Sequence, residues 1–482
     1  MLSGRPLRKL CAGDDPPQWE YGMDDYDVPE QDDGESIAGE SAISADLWIK
    51  KEDIQDISAA IHTLSVPLEN ARTGSTSVIT MARETAHHLV VPRHMPGMLE
   101  QLSSTPLVFG HAGGGELFSD AITLRNTQTE AWDALVANSN GVLNLACGLG
   151  KTVLGLKRIA ASGGPAVVVV NNAGLIEQWA ARAEEHLGLS RSDIGVVRGK
   201  KAQWDRPLVL AMIQTLANVA PDLPMDIRRR FSTAVYDETH HLAARVFLRT
   251  ANLFYGDRIG LTATAEREDG LESIYYAHLG GIFHTDLKGD VPAQVFFQRL
   301  STTLGRTPDI YDVTGEVSLG KLHIELANIP SRNRAIIKMV GEALCSGRRV
   351  LALTHAAEHP DLLKTLFEES SYGRLFTAGA ISGRTSGSDR AQILGGCDVT
   401  FATFGVAREG LDERRLDTVL FLTPFKAWGG FQQGKGRVER QLAGKKQPIA
   451  VVLEDAGVPM ARALCASLRQ KVKRNGIQVR NR

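Results

Sequence analysis

The 482-residue chain is poor in cysteine, in aromatic residues (6%) and in long apolar runs. Its five cysteines, Cys11, Cys147, Cys345, Cys397 and Cys465, are scattered, and none forms a Cys-x-x-Cys pair. That distribution argues against a disulfide framework or a zinc site and for reduced thiols in a cytoplasmic compartment. Apolar runs such as Ala166–Val170 and Ile449–Leu453 are five residues long, against the ~18 a membrane span needs. The first residues lack a secretory apolar core, so export is not expected. Basic residues are missing from 11–49, which hold twelve acids, and acids are missing from 462–482, which hold seven basic residues. Setting the twelve acids aside turns the formal net charge of −2 into +10. A basic body with an acidic arm suits a polyanionic partner; two solvated tails would account for the same counts.

What is present is the material of a multidomain globular protein, with 43% hydrophobic and 23% charged residues. Residues 1–45, rich in Asp, Glu, Gly, Ser and Pro, read as an acidic disordered tail. Residues 46–115, with Leu47-Trp48-Ile49 and the periodic stretch Ile54–Leu64, read as a small α+β accessory domain ending in a linker at Gly110–Gly115. From about residue 116, strand-like runs alternate with helical stretches: Gly141–Ala146, Ala166–Val170, Leu208–Met212, Thr233–Tyr236 and Arg258–Leu261. After about residue 286 the alternation resumes at Val350–Leu353, Arg374–Thr377, Val399–Ala402, Thr418–Leu422 and Ile449–Leu453. The pattern predicts two α/β lobes in tandem, 116–285 and 286–482, each with a parallel sheet and crossover helices.

The sharpest chemical signal is Ala146-Cys147-Gly148-Leu149-Gly150-Lys151-Thr152, between the apolar run Val142–Leu145 and the helical run Val153–Ala160. A strand, a glycine-rich turn and a helix start is the context of a phosphate-binding loop. Glycines let backbone N–H groups close around phosphate oxygens, and the helix N-terminus favours negative charge. Lys151 would reach the β- and γ-phosphates of ATP, and the Thr152 hydroxyl would ligate Mg²⁺. The generic pattern has glycine five positions before Gly150, where this chain has Leu145. Asp237-Glu238-Thr239-His240 follows the run Ala234–Tyr236, 86 residues after Lys151. Two acids at a strand's C-terminal end stand where α/β proteins bind ligands: Asp237 for the metal shell, Glu238 to orient the attacking water.

Here the chain resembles the superfamily 2 helicases, in the DExH branch with the XPB- and UvsW-type DNA motors, over roughly residues 121–455. Leu124-Arg125-x-x-Gln128-x-Glu130 resembles the adenine-reading segment, with Gln128 as reader. Ala146–Thr152 resembles the family loop that also lacks the first glycine. Leu175-x-x-Gln178-Trp179 resembles motif Ia, although Asn171-Asn172 stands where the family has Pro-Thr. Met212–Leu216, with Gln214, resembles a strand-contacting motif. Leu261–Thr264 resembles motif III, with Thr262 and Thr264 coupling hydrolysis to nucleic acid; Ala265 replaces the usual proline, and Arg267-Glu268-Asp269-Gly270 follows. Thr403-x5-Glu409-Gly410-Leu411-Asp412 resembles motif V, with Gly410 and Asp412 at the nucleotide, and Gln433-x-x-Gly436-Arg437-x-x-Arg440 resembles motif VI. The resemblance implies two RecA-like lobes, ATP and Mg²⁺ between them, and Gln433 paired with His240 near the γ-phosphate. It also implies that Arg437 and Arg440 meet transition-state charge as the lobes close. Arg suits that role because it is always charged and forks onto phosphate oxygens. Helical spacing would put Gln433, Arg437 and Arg440 on one face.

Each signal has a plainer reading. Gln128 could be a helix cap, Thr262 and Thr264 strand residues, and Arg437 and Arg440 a solvated basic face. His241 reads as a structural neighbour and Arg228-Arg229-Arg230 as an exposed helix face. Cys147 is expected to contribute its backbone only. The expected function is an ATP-dependent DNA helicase or translocase on duplex or branched DNA. The alternatives are an RNA helicase and an ATP-switched clamp without strand separation.

Overall fold

The computed structural model describes residues 42–69, 76–95, 107–108, 110–111, 114–115, 117–265, 271–288, 291–305, 308–313, 315–408, 413–426 and 428–481. The acidic tail up to residue 41, the Arg267–Gly270 segment, and Gly410 and Asp412 with the rest of the Glu409–Asp412 stretch lie outside them.

Runs such as Ala166–Val170 and Leu208–Met212 are β-branched or aliphatic at nearly every position, so both strand faces must be covered; in a parallel sheet, crossover helices cover them. The first lobe is built that way. Its eight strands run in the order 201–202, 194–198, 208–212, 166–170, 233–237, 257–262, 141–145 and 282–286, parallel except for the short 201–202 edge. The helix Ala173–Leu187 buries Leu175, Ile176, Trp179, Ala180, Ala183 and Leu187, one stripe at helical spacing. Asn172 caps its start, the side-chain oxygen accepting from Leu175 N at 2.9 Å. Gly188, in the left-handed conformation, ends it.

The second lobe holds seven parallel strands in the order 378–381, 399–403, 350–354, 418–421, 449–455, 294–300 and 479–481. Its strands are buried between the two halves of its core, around Phe421 and Phe431 on one side and Phe367 and Phe401 on the other. The two parallel sheets and their helices are the RecA-like pair expected. The expected strand at Arg374–Thr377 is a correction. Ser371–Arg374 form a 3-10 turn, Leu375 is 71% exposed, and the strand is Ala378–Ile381. Burial selects the small residues there, because a Cβ at Gly379 would lie 2.2 Å from Ile393 Cγ2 of the covering helix.

Residues 42–108 contribute a five-stranded sheet and a hairpin, 65–69 with 76–80. Leu47, Ile49, Leu89 and Val91 pack on Leu248, Ile274 and Ala277 of the first lobe. Two buried arginines lock the contact. Arg93 donates to Asn140 Oδ1 (2.6 Å), Gly256 O (2.7 Å) and Tyr255 O (2.9 Å). Arg258 donates to Phe254 O, His278 O and Ala45 O.

Among the described residues, no helix is long and apolar enough to cross a membrane.

Candidate active site

The strand Gly141–Leu145 leads into the phosphate loop, and the helix Lys151–Ser162 leaves it. Gly148 and Gly150 take φ of +95° and +83°, which side-chain-bearing residues rarely adopt. A Cβ on Gly150 would sit 2.2 Å from Gln128 Nε2, so glycine is required there twice over. Gln128 closes the loop from outside: its Nε2 donates to Leu149 O (2.9 Å) and its Oε1 accepts from Arg125 N (3.0 Å). It is therefore both a cap and a loop contact, and Arg125 adds a bond from Nη2 to Gly148 O (3.1 Å). Lys151 Nζ donates to Leu145 O at 3.0 Å, folded back across the mouth of the loop. Thr152 is the next residue of the helix and is half-buried.

Asp237 ends the strand Thr233–Asp237, and Glu238 follows at φ +50°, the one side-chain-bearing residue with positive φ among those described. Thr239 pins this turn by donating its hydroxyl toward Tyr236 O and Leu261 O (2.9 and 3.2 Å). Burial, and secondly the Glu238 carboxylate, push the Asp237 carboxyl up to about 6. Trp179 opposes that shift: its indole Nε1 donates to Asp237 Oδ2 at 2.8 Å. The same indole fills the space over Gly155, where a Cβ would lie 2.7 Å from Trp179 Cη2. Trp179 stood in the motif Ia resemblance, but only the packing of its helix against the sheet reveals this contact. Glu238 Oε2 is buried without a hydrogen-bond partner, 3.5 Å from His240 Nδ1. His240 Nδ1 lies 3.3 Å from both Thr262 Oγ1 and Thr264 Oγ1, and Thr262 Oγ1 accepts from Thr264 N. One imidazole thus joins the acidic turn to the next strand's end, and His241 stacks beside it, ring centroids 4.4 Å apart.

The second lobe faces this site with the helix Trp428–Gly436. A Cβ on Gly429 would lie 3.0 Å from Thr264 Cγ2, and one on Gly436 would lie 2.4 Å from Cys147 Cβ. The Arg440 side chain passes the loop, its Cγ 3.2 Å from where a Cβ on Gly148 would be. Burial, and after it the Arg182 guanidinium of the first lobe, lower the pKa of Arg440. The expected single helical face is corrected: the helix stops at Gly436, so Arg437 and Arg440 lie in the turn and extended chain beyond it. Glycines at 434 and 436 weaken the helix end, and the close approach to Cys147 needs the second of them. Gln433 is buried in the helix, and its Oε1 has no hydrogen-bond partner.

Gln214 donates to Asn171 O (2.9 Å), so both lie at one edge of the sheet, and the Asn172 side chain is committed to capping. Thr403 ends its strand beside Thr354 at the carboxyl edge of the second sheet. Arg228 is not on an exposed face: it is buried and donates to Leu223 O and Ala220 O, capping its own turn.

A phosphate loop on one parallel sheet, faced by an arginine-bearing segment from a second, is the arrangement of a two-lobed, RecA-like P-loop fold. Residues 121–267 match the family described as type III restriction enzyme, res subunit. The probable helicase D10 of Escherichia phage T5 is 28% identical over 69% of this chain and 71% of its own length. A DNA 3'-5' helicase XPB of Kineococcus radiotolerans is 31% identical over 45% of this chain and 39% of its own. A putative ATP-dependent RNA helicase, L396, of Acanthamoeba polyphaga mimivirus is 24% identical over 69% of this chain and 64% of its own. Saccharomyces cerevisiae Dbp5 bound to RNA and ADP BeF3 shares the fold, with a TM-score of 0.54 at 10% identity over 75% of this chain and 90% of that one. Across its two lobes the chain is thus similar to XPB-type DNA helicases and to a phage helicase.

Proposed function

We propose that this protein is an ATP-driven motor that translocates on or remodels DNA, hydrolysing ATP between its lobes. The observation that carries the reading is the contact of the arginine segment with the phosphate loop, Gly436 on Cys147 and Arg440 over Gly148. A triphosphate on Lys151 would meet cationic groups from both halves of the chain. The residues fit ATP and Mg²⁺: the loop is a glycine cradle that side chains would fill, and the buried Glu238 Oε2 accepts no hydrogen bond. Thr152 and Asp237 would hold the metal, which when bound neutralises phosphate charge.

Lys151 leaves Leu145 O to reach the phosphates. Glu238, held by its left-handed backbone, orients the attacking water and accepts its proton. Arg437 and Arg440 supply positive charge that is complete only with the cleft closed, the step worth most in rate. The link Glu238–His240–Thr262/Thr264, ending against Gly429, is a physical route by which the state of the site biases the interlobe contact. Gln214 and Thr403 are assigned to the nucleic-acid path. Gln433, Gly410 and Asp412 are assigned to the nucleotide side.

DNA is favoured over RNA because most of the similar proteins carry DNA-helicase names, while one carries an RNA-helicase name. The test is ATPase stimulation by duplex DNA, a fork, a four-way junction, single-stranded DNA and RNA. Stimulation by DNA that falls steeply with salt is expected, since grip by phosphate contacts releases counterions. Stimulation by RNA alone would make this an RNA motor, and turnover-free ATP binding would make it a switched clamp.

A further inference from the structure

The helix ladder closes with bonds from Arg437 N to Gly434 O (3.2 Å) and from Val438 N to Lys435 O (3.1 Å), so beyond Val438 something else must hold the arginine segment. The structure supplies that hold through one buried carboxylate. Glu439 is 1% exposed, and its Oε1 accepts from Lys435 Nζ at 2.6 Å and from Ala293 N at 2.8 Å. The Glu439 carbonyl accepts from Val291 N at 3.0 Å. Gln447 Nε2 donates to Pro292 O at 2.8 Å, and Lys445 Nζ to Arg440 O at 2.7 Å. Residues 291–293 are the end of the chain that joins the lobes: the last strand of the first sheet ends at Asp286, and the first of the second begins at Gln294.

We propose that Glu439 is a positioning residue that hooks the arginine segment to the interlobe connection, so that Arg437 and Arg440 travel with the hinge. The inference rests on the reading of those arginines given above. Lys435 is 3% exposed, so this ion pair is fully desolvated. Such pairs are poor stabilisers, and apolar residues of similar size replace them at little cost, whereas breaking one partner alone is costly. What Glu439 supplies that an apolar residue cannot is a fixed acceptor for the Ala293 amide, one residue before Arg440 and two after Arg437. A loop free to shift by an ångström loses its alignment with the phosphate loop.

The test uses the full chain with two variants: E439Q, and the apolar pair K435M/E439M, which avoids leaving a buried lysine uncompensated. Single-turnover hydrolysis, steady-state ATP KM and thermal midpoint are measured for each, alone and with R437A. The expected result for K435M/E439M is a fall of tenfold or more in the hydrolysis rate with ATP KM within threefold. With R437A already present, the pair should cost less than twofold more. A purely structural role would multiply with R437A and would track the midpoint. A rate within threefold of wild type, or full multiplication with R437A, overturns the proposal. E439Q, which keeps an acceptor for Ala293 N, should retain more activity than K435M/E439M; the reverse order also overturns it. If R437A alone hydrolyses as fast as wild type, the arginine reading falls together with this one. If R437A is slow while K435M/E439M is fast, only this inference falls.

Discussion

Adding one methyl group at Gly436 should stop ATP turnover without unfolding the chain. The Cβ would stand 2.4 Å from Cys147 Cβ, where ordinary contacts run from 3.4 to 4 Å. Opposing backbones at that point must separate by about 1 Å. Gly436 has no positive φ, so alanine fits its own backbone, and at a helix end it is the better residue by a few tenths of a kcal/mol. The strain therefore falls on the interlobe contact alone. A misplacement of about 1 Å at a reacting centre costs ~100-fold in rate, so the turnover number of Gly436→Ala should fall about that far, with the thermal midpoint held. Gly434→Ala is the control. Its Cβ would press on Phe421 and Leu353 of the second lobe's own core, at 2.7 to 3.1 Å, and should cost about 1–3 kcal/mol of stability. Cys147→Ala keeps the Cβ and should leave activity mostly intact, and Cys147→Gly combined with Gly436→Ala should recover rate. The assay is ATPase turnover at saturating nucleic acid beside differential scanning calorimetry. Turnover of Gly436→Ala within threefold of wild type would refute the contact as a catalytic one.

Lys151→Ala should abolish turnover while nucleic-acid binding survives, checked by fluorescence anisotropy; loss of both would place Lys151 in the fold instead. Arg437→Ala should keep nucleotide affinity and slow hydrolysis by ~10³-fold or more, read in single-turnover assays. The Asp237 carboxyl, near 4 when unfolded and about 6 when folded, stabilises the fold only when protonated. Its contribution is complete below pH 4 and is lost as pH rises through 6. Asp237→Asn should therefore raise stability at pH 7.5, by on the order of 1–3 kcal/mol, and abolish turnover; a variant no more stable than wild type at pH 7.5 contradicts this. Arg258→Met should cost about 3–5 kcal/mol and loosen residues 42–95 from the first lobe, because buried carbonyls lose a charged donor. Unchanged proteolysis of that segment would contradict it.

The parts of the candidate site made from neighbouring residues are legible in the amino-acid sequence. Ala146–Thr152 is strand, turn and helix start in one stretch, and glycine is the only residue for its backbone. Asp237-Glu238 follows a run whose burial is dictated by its own side chains. The α/β alternation marks most strands. The run Arg374–Thr377 misleads because Leu375 faces solvent and only Phe376 packs against the core, while the true strand, Ala378–Ile381, opens with small residues fitted to the helix above it. Arg228 misleads because charge in a helix suggests exposure, and only the fold shows the carbonyls it caps. The edge strand Val479–Asn481 is not distinguished by pattern, since exposure at the sheet edge blurs the apolar periodicity.

Residue order along the chain determined most of the strands, the phosphate loop and the acidic turn, because each depends on interactions within a few residues. Packing alone decided that Trp179 holds Asp237, that Arg258 binds the N-terminal segment, that the helix before Arg437 stops at a glycine resting on Cys147, and that Glu439 reaches Ala293. Those contacts join residues from tens to more than two hundred positions apart, and neither periodicity nor propensity carries information over that distance.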